Sequence, residues 1–213
     1  MSGRLPILMW VLLLALVVAP VLLVTLGATA IPERWAYSAN VVFGLVAVAL
    51  TLITFWKVER ALANYQDRRG DPFAWFGWTL VAYLPIFTTV LAMRRLDPDA
   101  DFIFGETIMM AAFSFAAPIL VHASGRAIDQ QGPEISAIFQ RWFPHYWALV
   151  GAYLLVTLPL HLASDVAWHF MGSNGSTALF GELIAGMLST LGSVFAVAMT
   201  VEAFHRADEF SIS

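Results

Sequence analysis

The sequence contains six long apolar stretches, and the short segments that separate them contain most of the charged side chains. An α-helix needs about 20 apolar residues to cross the hydrocarbon core of a bilayer, because each residue advances the helix by about 1.5 Å. The pattern therefore predicts an all-α integral membrane protein that forms a single polytopic domain over residues 1–213. Its six transmembrane helices are predicted at residues 5–28, 36–57, 73–93, 102–123, 145–169 and 177–203.

Lys and Arg are unevenly distributed between the predicted loops. The N-terminus, the 58–72 loop, the 124–144 loop and the C-terminus together hold eight of them, whereas the opposite loops hold three. Cytoplasmic loops of membrane proteins carry the excess of basic residues. Both termini are therefore predicted to be cytoplasmic. The first apolar run is longer than the roughly 7–15 residues of a signal-peptide core, so it is interpreted as a membrane anchor.

The six predicted helices also resemble three copies of one helical hairpin. The first helix of each pair contains Trp-x-Leu, and the second opens with Phe-Gly. Tryptophan at membrane interfaces and small residues in packed helices explain the same pattern without duplication. The residue after Phe-Gly is Leu45 in the first pair, but Glu106 and Glu182 in the other two. The predicted hairpins cover about residues 5–57, 73–123 and 145–203.

Composition narrows the chemistry that this chain can perform. Hydrophobic residues make up 60 % of the sequence and charged residues 12 %, as is typical of a membrane protein. The chain contains no Cys, which excludes thiolate metal sites, iron–sulfur clusters, disulfides and a thiol nucleophile. Carboxylates and imidazoles remain as the strong side-chain ligands. A net charge of −4 and the lack of an extended basic block give no indication of a nucleic-acid partner.

Five ionisable side chains of the fourth, fifth and sixth predicted spans form one group. His161, Asp165 and His169 belong to the fifth span, while Glu106 and Glu182 lie near the starts of the fourth and sixth. Because the fifth helix runs opposite to the other two, all five side chains are predicted to approach the outer leaflet. Charged groups at this depth are costly, so they indicate a functional site.

Helical geometry separates these residues into two groups. Asp165 and His169 are four residues apart and share one face of a helix. His161 and His169 lie about 12 Å apart along the axis and about 80° apart around it, so a straight helix cannot bring both to one ion. Asp165, His169 and Glu182 are therefore predicted as metal ligands. Glu106 and His161 are predicted to support them by hydrogen bonds or to relay protons. Helix-packing hydrogen bonds are the alternative role for Asp165 and Glu106.

Three motifs in the second half of the chain resemble one known family. Asp165-Val-Ala-Trp168-His169 is similar to the Asp-x-x-Trp-His element in the C subunit of copper membrane monooxygenases, the particulate methane and ammonia monooxygenases. Asp101-Phe-Ile-Phe-Gly-Glu106 resembles a helix start in that subunit, and Phe143-Pro-His145 resembles its Phe-x-His. The resemblance covers about residues 100–205.

The resemblance implies a copper-binding transmembrane subunit of an oxidative complex. In the family, the Asp and two His bind a metal within the membrane near the periplasmic face. It also implies a bacterial inner or intracytoplasmic membrane, with a second transmembrane subunit and a periplasmic copper-protein subunit as partners. Glu182 stands where the family has its second His, which makes zinc, iron or manganese more plausible relative to copper. The family's further helical pair, which holds a second copper site, has no counterpart in this sequence, so a divergent or accessory member of the family is expected.

Three functions follow from these patterns. The first is the metal-binding subunit of a monooxygenase-like complex, an oxidoreductase. The second is a proton or metal-ion conduit through the carboxylates and imidazoles, and the third is a non-catalytic helical subunit. Metal bound to the purified protein would indicate the first function. Ion flux across a membrane would indicate the second.

Overall fold

The computed structural model describes residues 7, 9–15, 33–63, 70–96, 105–128, 134–172 and 178–209. These residues are helical apart from short turns, and no strand occurs among them, which confirms the predicted all-α class. Residues 9–15 are helical. They are followed by α1 (Glu33–Leu62), α2 (Pro72–Ala82), α3 (Leu84–Leu96), α4 (Gly105–Ser114), α5 (Ala117–Ile128), α6 (Ile135–Trp142), a 3₁₀ turn (Phe143–His145), α7 (Tyr146–Gly172) and α8 (Ala178–Glu209).

Several helical segments are long and apolar enough to cross a membrane. Within the described residues these are Pro72–Leu96, Ile135–Phe170 and Leu179–Arg206. Helices α4 and α5 satisfy the same test together, although they are bent by 76° relative to each other. The described chain therefore has three candidate spans, or four with the bent pair. The second predicted span falls within α1, which has 30 residues, and most of the first, 5–28, lies outside the described residues.

The outer surface of the helices is apolar. Large side chains such as Phe73, Leu91, Leu155 and Phe195 are exposed. Water would disfavour such a surface, whereas lipid tails match it, because only apolar groups avoid a solvation cost in hydrocarbon. The apolar helices and their apolar exterior indicate a membrane protein.

Two of the predicted helices are interrupted shortly before a proline. The helix breaks at Tyr83, two residues before Pro85, and again at Phe115–Ala116, shortly before Pro118. Proline has no N–H and its ring clashes with the carbonyl four residues earlier, so a helix ends or bends just before it. The fourth predicted span, 102–123, is therefore two helices, whereas α7 continues through Pro159.

Helix α8 is the centre of the packing. Its contact with α7 is the most extensive in the structure, and it also packs against α5 and α1. Helix α4 packs against α7, and α2 packs against α5. Small residues let these helices approach closely: a Cβ added to Gly125 would lie 2.6 Å from the Phe204 ring. Polar side chains of α4, α7 and α8 are consequently brought together inside the bundle.

Candidate functional site

The carboxylate of Glu106 is the point where three helices meet. It projects from the first turn of α4 and is contacted by His161 and Ser164 of α7 and by Ser189 of α8. The distance from Nδ1 of His161 to Oε1 of Glu106 is 2.8 Å. Ser164 Oγ donates to Oε2 at 2.8 Å, and the Ser189 hydroxyl donates to Oε1. The His161 side chain is only 1 % exposed, whereas that of Glu106 is 28 % exposed, so the imidazole is buried and the carboxylate is partly buried.

Ser164 has a second acceptor within reach. Its Oγ lies 2.9 Å from the carbonyl oxygen of Ala185, in addition to its contact with Glu106. A serine hydroxyl has one hydrogen and can also accept. It can therefore donate to an ionised Glu106, or it can donate to Ala185 while it accepts a hydrogen bond from a protonated Glu106. The carboxyl group can gain or lose a proton without movement of the surrounding heavy atoms.

The second ring nitrogen of His161 has no hydrogen-bond partner among the residues that the structure describes. Nε2 is buried and faces Gly192 of α8, where an added Cβ would lie 2.7 Å from it. A neutral imidazole has one donor nitrogen and one acceptor nitrogen. When Nδ1 carries the hydrogen and donates to Glu106, Nε2 is an acceptor that can take a further proton. The absence of a side chain at Gly192 makes the space in which this ring fits.

Asp165 caps a helix to which it does not belong. Its carboxylate accepts hydrogen bonds from the backbone N–H of Thr107 at 2.8 Å, from the Thr107 hydroxyl at 2.7 Å and from the backbone N–H of Glu106 at 3.3 Å. The first N–H groups of a helix have no partner within it, and a carboxylate there also interacts favourably with the helix dipole. Asp165 thus holds the start of α4 against α7 and sets the position of Glu106.

The three predicted metal ligands do not form a cluster in the described part of the chain. Asp165 is engaged with α4, His169 is half-buried with its ring 5.2 Å from that of Phe170, and Glu182 is half-buried on α8. No group of three His, Asp or Glu side chains among the described residues is placed to hold one ion. The Asp165, His169 and Glu182 set stays a prediction.

Glu106 and His161, predicted to act beside those ligands, are in direct contact with each other. Sequence reasoning missed the serines that complete their surroundings. Ser164 lies three residues after His161, so helical periodicity places both on one face of α7. Ser189 belongs to another helix, and no spacing in the sequence indicates that it meets Glu106.

A second buried carboxylate lies toward the other end of the bundle. Glu59 of α1 is 7 % exposed, and its Oε2 accepts a hydrogen bond from Nε1 of Trp75 on α2 at 2.8 Å. The predicted end of the second span at residue 57 placed Glu59 in the 58–72 loop. The structure corrects this boundary, because α1 continues to Leu62 and carries Glu59 into the interior. The apolar pattern of Val58, Ala61 and Leu62 is the signal that could have extended the helix.

Searches against protein-family models, curated proteins and solved structures found no match for this chain. The resemblance to the C subunit of copper membrane monooxygenases therefore stays a prediction from sequence motifs.

Replacing Asp165 by alanine is expected to destabilise the fold by about 1–2 kcal/mol, because the first turn of α4 loses its acceptor. Asp165→Asn should cost less, since its amide oxygen still accepts. The measurement is thermal unfolding of the purified protein in detergent. Asp71→Ala is a matched control: Asp71 caps α2, accepting from the backbone N–H groups of Phe73 at 3.1 Å and Ala74 at 3.0 Å. Equal stability of Asp165→Ala and the unmodified protein would contradict the capping role.

Proposed function

We propose that this chain is a multi-pass subunit of a membrane complex and that Glu106 and His161 transfer protons within it. The observation that carries the proposal is the 2.8 Å contact between Glu106 Oε1 and Nδ1 of an imidazole that is 1 % exposed. Ionisable groups are costly inside a membrane and are found there mainly where ions or protons move. An apolar side chain would pack in the same space without that cost.

The chemistry of the cluster favours protons. Each of the four side chains, Glu106, His161, Ser164 and Ser189, can donate or accept a hydrogen bond. A proton bound at Oε1 of Glu106 can move to Nδ1 of His161 along the 2.8 Å contact. The transfer starts from the tautomer in which Nε2 carries the imidazole hydrogen and Nδ1 is free to accept. It leaves a carboxylate that accepts from the two serines and an imidazolium with one hydrogen on each ring nitrogen. The pair can therefore hold one proton at either of two adjacent atoms.

The proposed topology has six transmembrane helices, with both termini in the cytoplasm of a bacterial cell. The candidate spans among the described residues and the uneven distribution of Lys and Arg support it. In this orientation α4 begins at the outer side and Glu106 lies in the outer half of the membrane. Glu106 and His161 would then take up protons from the outer surface or release them to it.

Reconstitution tests the proposal. Purified protein is placed in potassium-loaded vesicles that contain a pH-sensitive dye, and valinomycin is added to create an inside-negative potential. Protons driven inward should acidify the vesicle interior faster than in protein-free vesicles of the same lipid. Equal rates in the two preparations would overturn the proposal.

The alternative function, a metal-binding subunit of a monooxygenase, leads to a different expected result. It predicts about one copper, zinc or iron ion per chain in the purified protein, measured by elemental analysis, and loss of that ion in Asp165→Ala or His169→Ala. If the polar groups serve only helix packing, neither bound metal nor proton flux is expected. Metal analysis of the same preparation used for the flux measurement therefore separates the three predicted functions.

A further inference from the structure

A cavity of about 110 Å³ lies between the helices, and the buried carboxylate Glu59 is one of the residues that line it. Its walls are mostly apolar and aromatic, and they come from α1, α2, α4, α5 and α8. Five of its polar groups are Thr51, Glu59, Thr79, Ser193 and Thr200. A water molecule occupies about 30 Å³ in the liquid, so the cavity has room for about three of them, and polar groups line it as such waters require.

Glu59 closes one end of this cavity. Its side chain is more than nine-tenths buried, and it accepts a hydrogen bond from the neutral indole N–H of Trp75. An indole has one hydrogen to donate and cannot neutralise a carboxylate. A buried carboxyl group in such surroundings is costly unless it binds a proton or a cation.

Hydroxyl groups on one face of α8 connect the cavity to the Glu106 site. Ser189, Ser193 and Thr200 are separated by four and seven residues, which places them along one side of a helix. Ser189 donates to Glu106, while Ser193 and Thr200 line the cavity and donate to carbonyls of their own helix at 3.0 Å and 2.6 Å. The Ser193 oxygen remains able to accept, whereas the Thr200 oxygen is also in contact with the buried Tyr153 hydroxyl. Ser189 and Thr200 are about 16 Å apart along the axis, about half of a hydrocarbon core of about 30 Å.

We infer that Glu59 is the inner proton-binding group of a path whose outer group is the Glu106–His161 pair, with water in the cavity linking the two. One end of the path is the partly buried carboxylate of Glu106 and the other is the buried carboxylate of Glu59, and both accept hydrogen bonds. Ser193 lines the cavity and lies one helical turn from Ser189, which donates to the outer group. A proton that leaves the outer group enters the cavity, passes along water and hydroxyl oxygens, and binds the Glu59 carboxylate. This inference rests on the proposed function of Glu106 and His161.

Proton flux in the vesicle assay tests the inference. Glu59→Gln keeps the side-chain volume and an acceptor for Trp75 but cannot bind and release a proton, so flux should fall at least about tenfold. Glu59→Asp should recover part of the flux, because it restores a carboxyl group. A second variant, Ala196→Leu, fills the cavity and should lower flux as strongly. Its control is Ala148→Leu on the exposed surface of α7, which should leave flux unchanged.

The outcomes separate this inference from the function on which it rests. If the unmodified protein conducts no protons, both are overturned. If the protein conducts and Glu106→Gln abolishes conduction, while Glu59→Gln and Ala196→Leu conduct normally, only the path through Glu59 is wrong. Loss of flux in Glu59→Gln with recovery in Glu59→Asp supports it, since a purely structural role would not depend on the carboxyl group.

Discussion

Glu106→Gln is expected to lower proton flux at least about tenfold, which corresponds to a rise of about 1.4 kcal/mol in the barrier. Glutamine has nearly the same shape as glutamate. Its amide oxygen can still accept from Ser164 and Ser189, and its amide group can still contact His161. What it cannot do is bind and release a proton at the point where α4, α7 and α8 meet. The measurement is dye-reported acidification in reconstituted vesicles under a fixed potential.

The control for this prediction is Glu202→Gln. Glu202 lies on the surface of the protein, where its Oε1 accepts a hydrogen bond from Nε of Arg206 at 3.0 Å. Both side chains are more than half exposed. An exposed ion pair of this kind contributes little to stability and does not touch the buried cluster. Flux should therefore be unchanged. If Glu106→Gln and Glu202→Gln both retain full flux while remaining folded, Glu106 does not carry protons.

Gly192→Ala is expected to have the second-largest effect, because the new methyl group would lie 2.7 Å from Nε2, 3.1 Å from Cδ2 and 3.3 Å from Cε1 of His161. The imidazole ring is rigid and 1 % exposed, so it must tilt and lengthen its contact with Glu106. Overpacking of this kind typically costs about 1–3 kcal/mol. The thermal midpoint in detergent and the proton flux should both fall.

Gly151→Ala provides the matched control. Gly151 lies in α7, the same helix as His161, and an added Cβ there would meet nothing within 4 Å. Alanine also has a higher helix propensity than glycine, so this variant should be at least as stable as the unmodified protein. Gly192→Ala and Gly151→Ala proteins that behaved alike in both measurements would show that His161 does not pack against α8 as described.

The role of Asp165 shows how far sequence reasoning reaches at this site. The sequence identified it as a polar group in an apolar segment and grouped it with His169, because positions four apart share a helical face. Its hydrogen bonds instead run to Thr107 and Glu106, which are 58 and 59 residues earlier in the chain. Helical periodicity relates residues of one helix, and it carries no information about which face of another helix lies opposite.

The two broken helices illustrate a different limit. Pro85 and Pro118 lie within the predicted spans 73–93 and 102–123, and the helices break just before them, at Tyr83 and at Phe115–Ala116. The sequence did not indicate that α4 and α5 would bend by 76° while α7 would continue through Pro159. The same residue type gives different results, because neighbouring helices decide whether the freed carbonyl groups are satisfied in a straight or a bent arrangement.

By itself, the sequence determined that this protein is helical and suited to a membrane, because runs of apolar residues long enough to cross a bilayer leave few other structures in which backbone groups are paired. It also determined which ionisable side chains lie among those apolar residues, including Glu106 and His161. Only the tertiary structure decided that these two contact each other, that Asp165 caps α4, and that Glu59 is buried beside a cavity. Those contacts depend on the rotation and crossing of helices that are far apart in the chain, and packing of the whole bundle sets both.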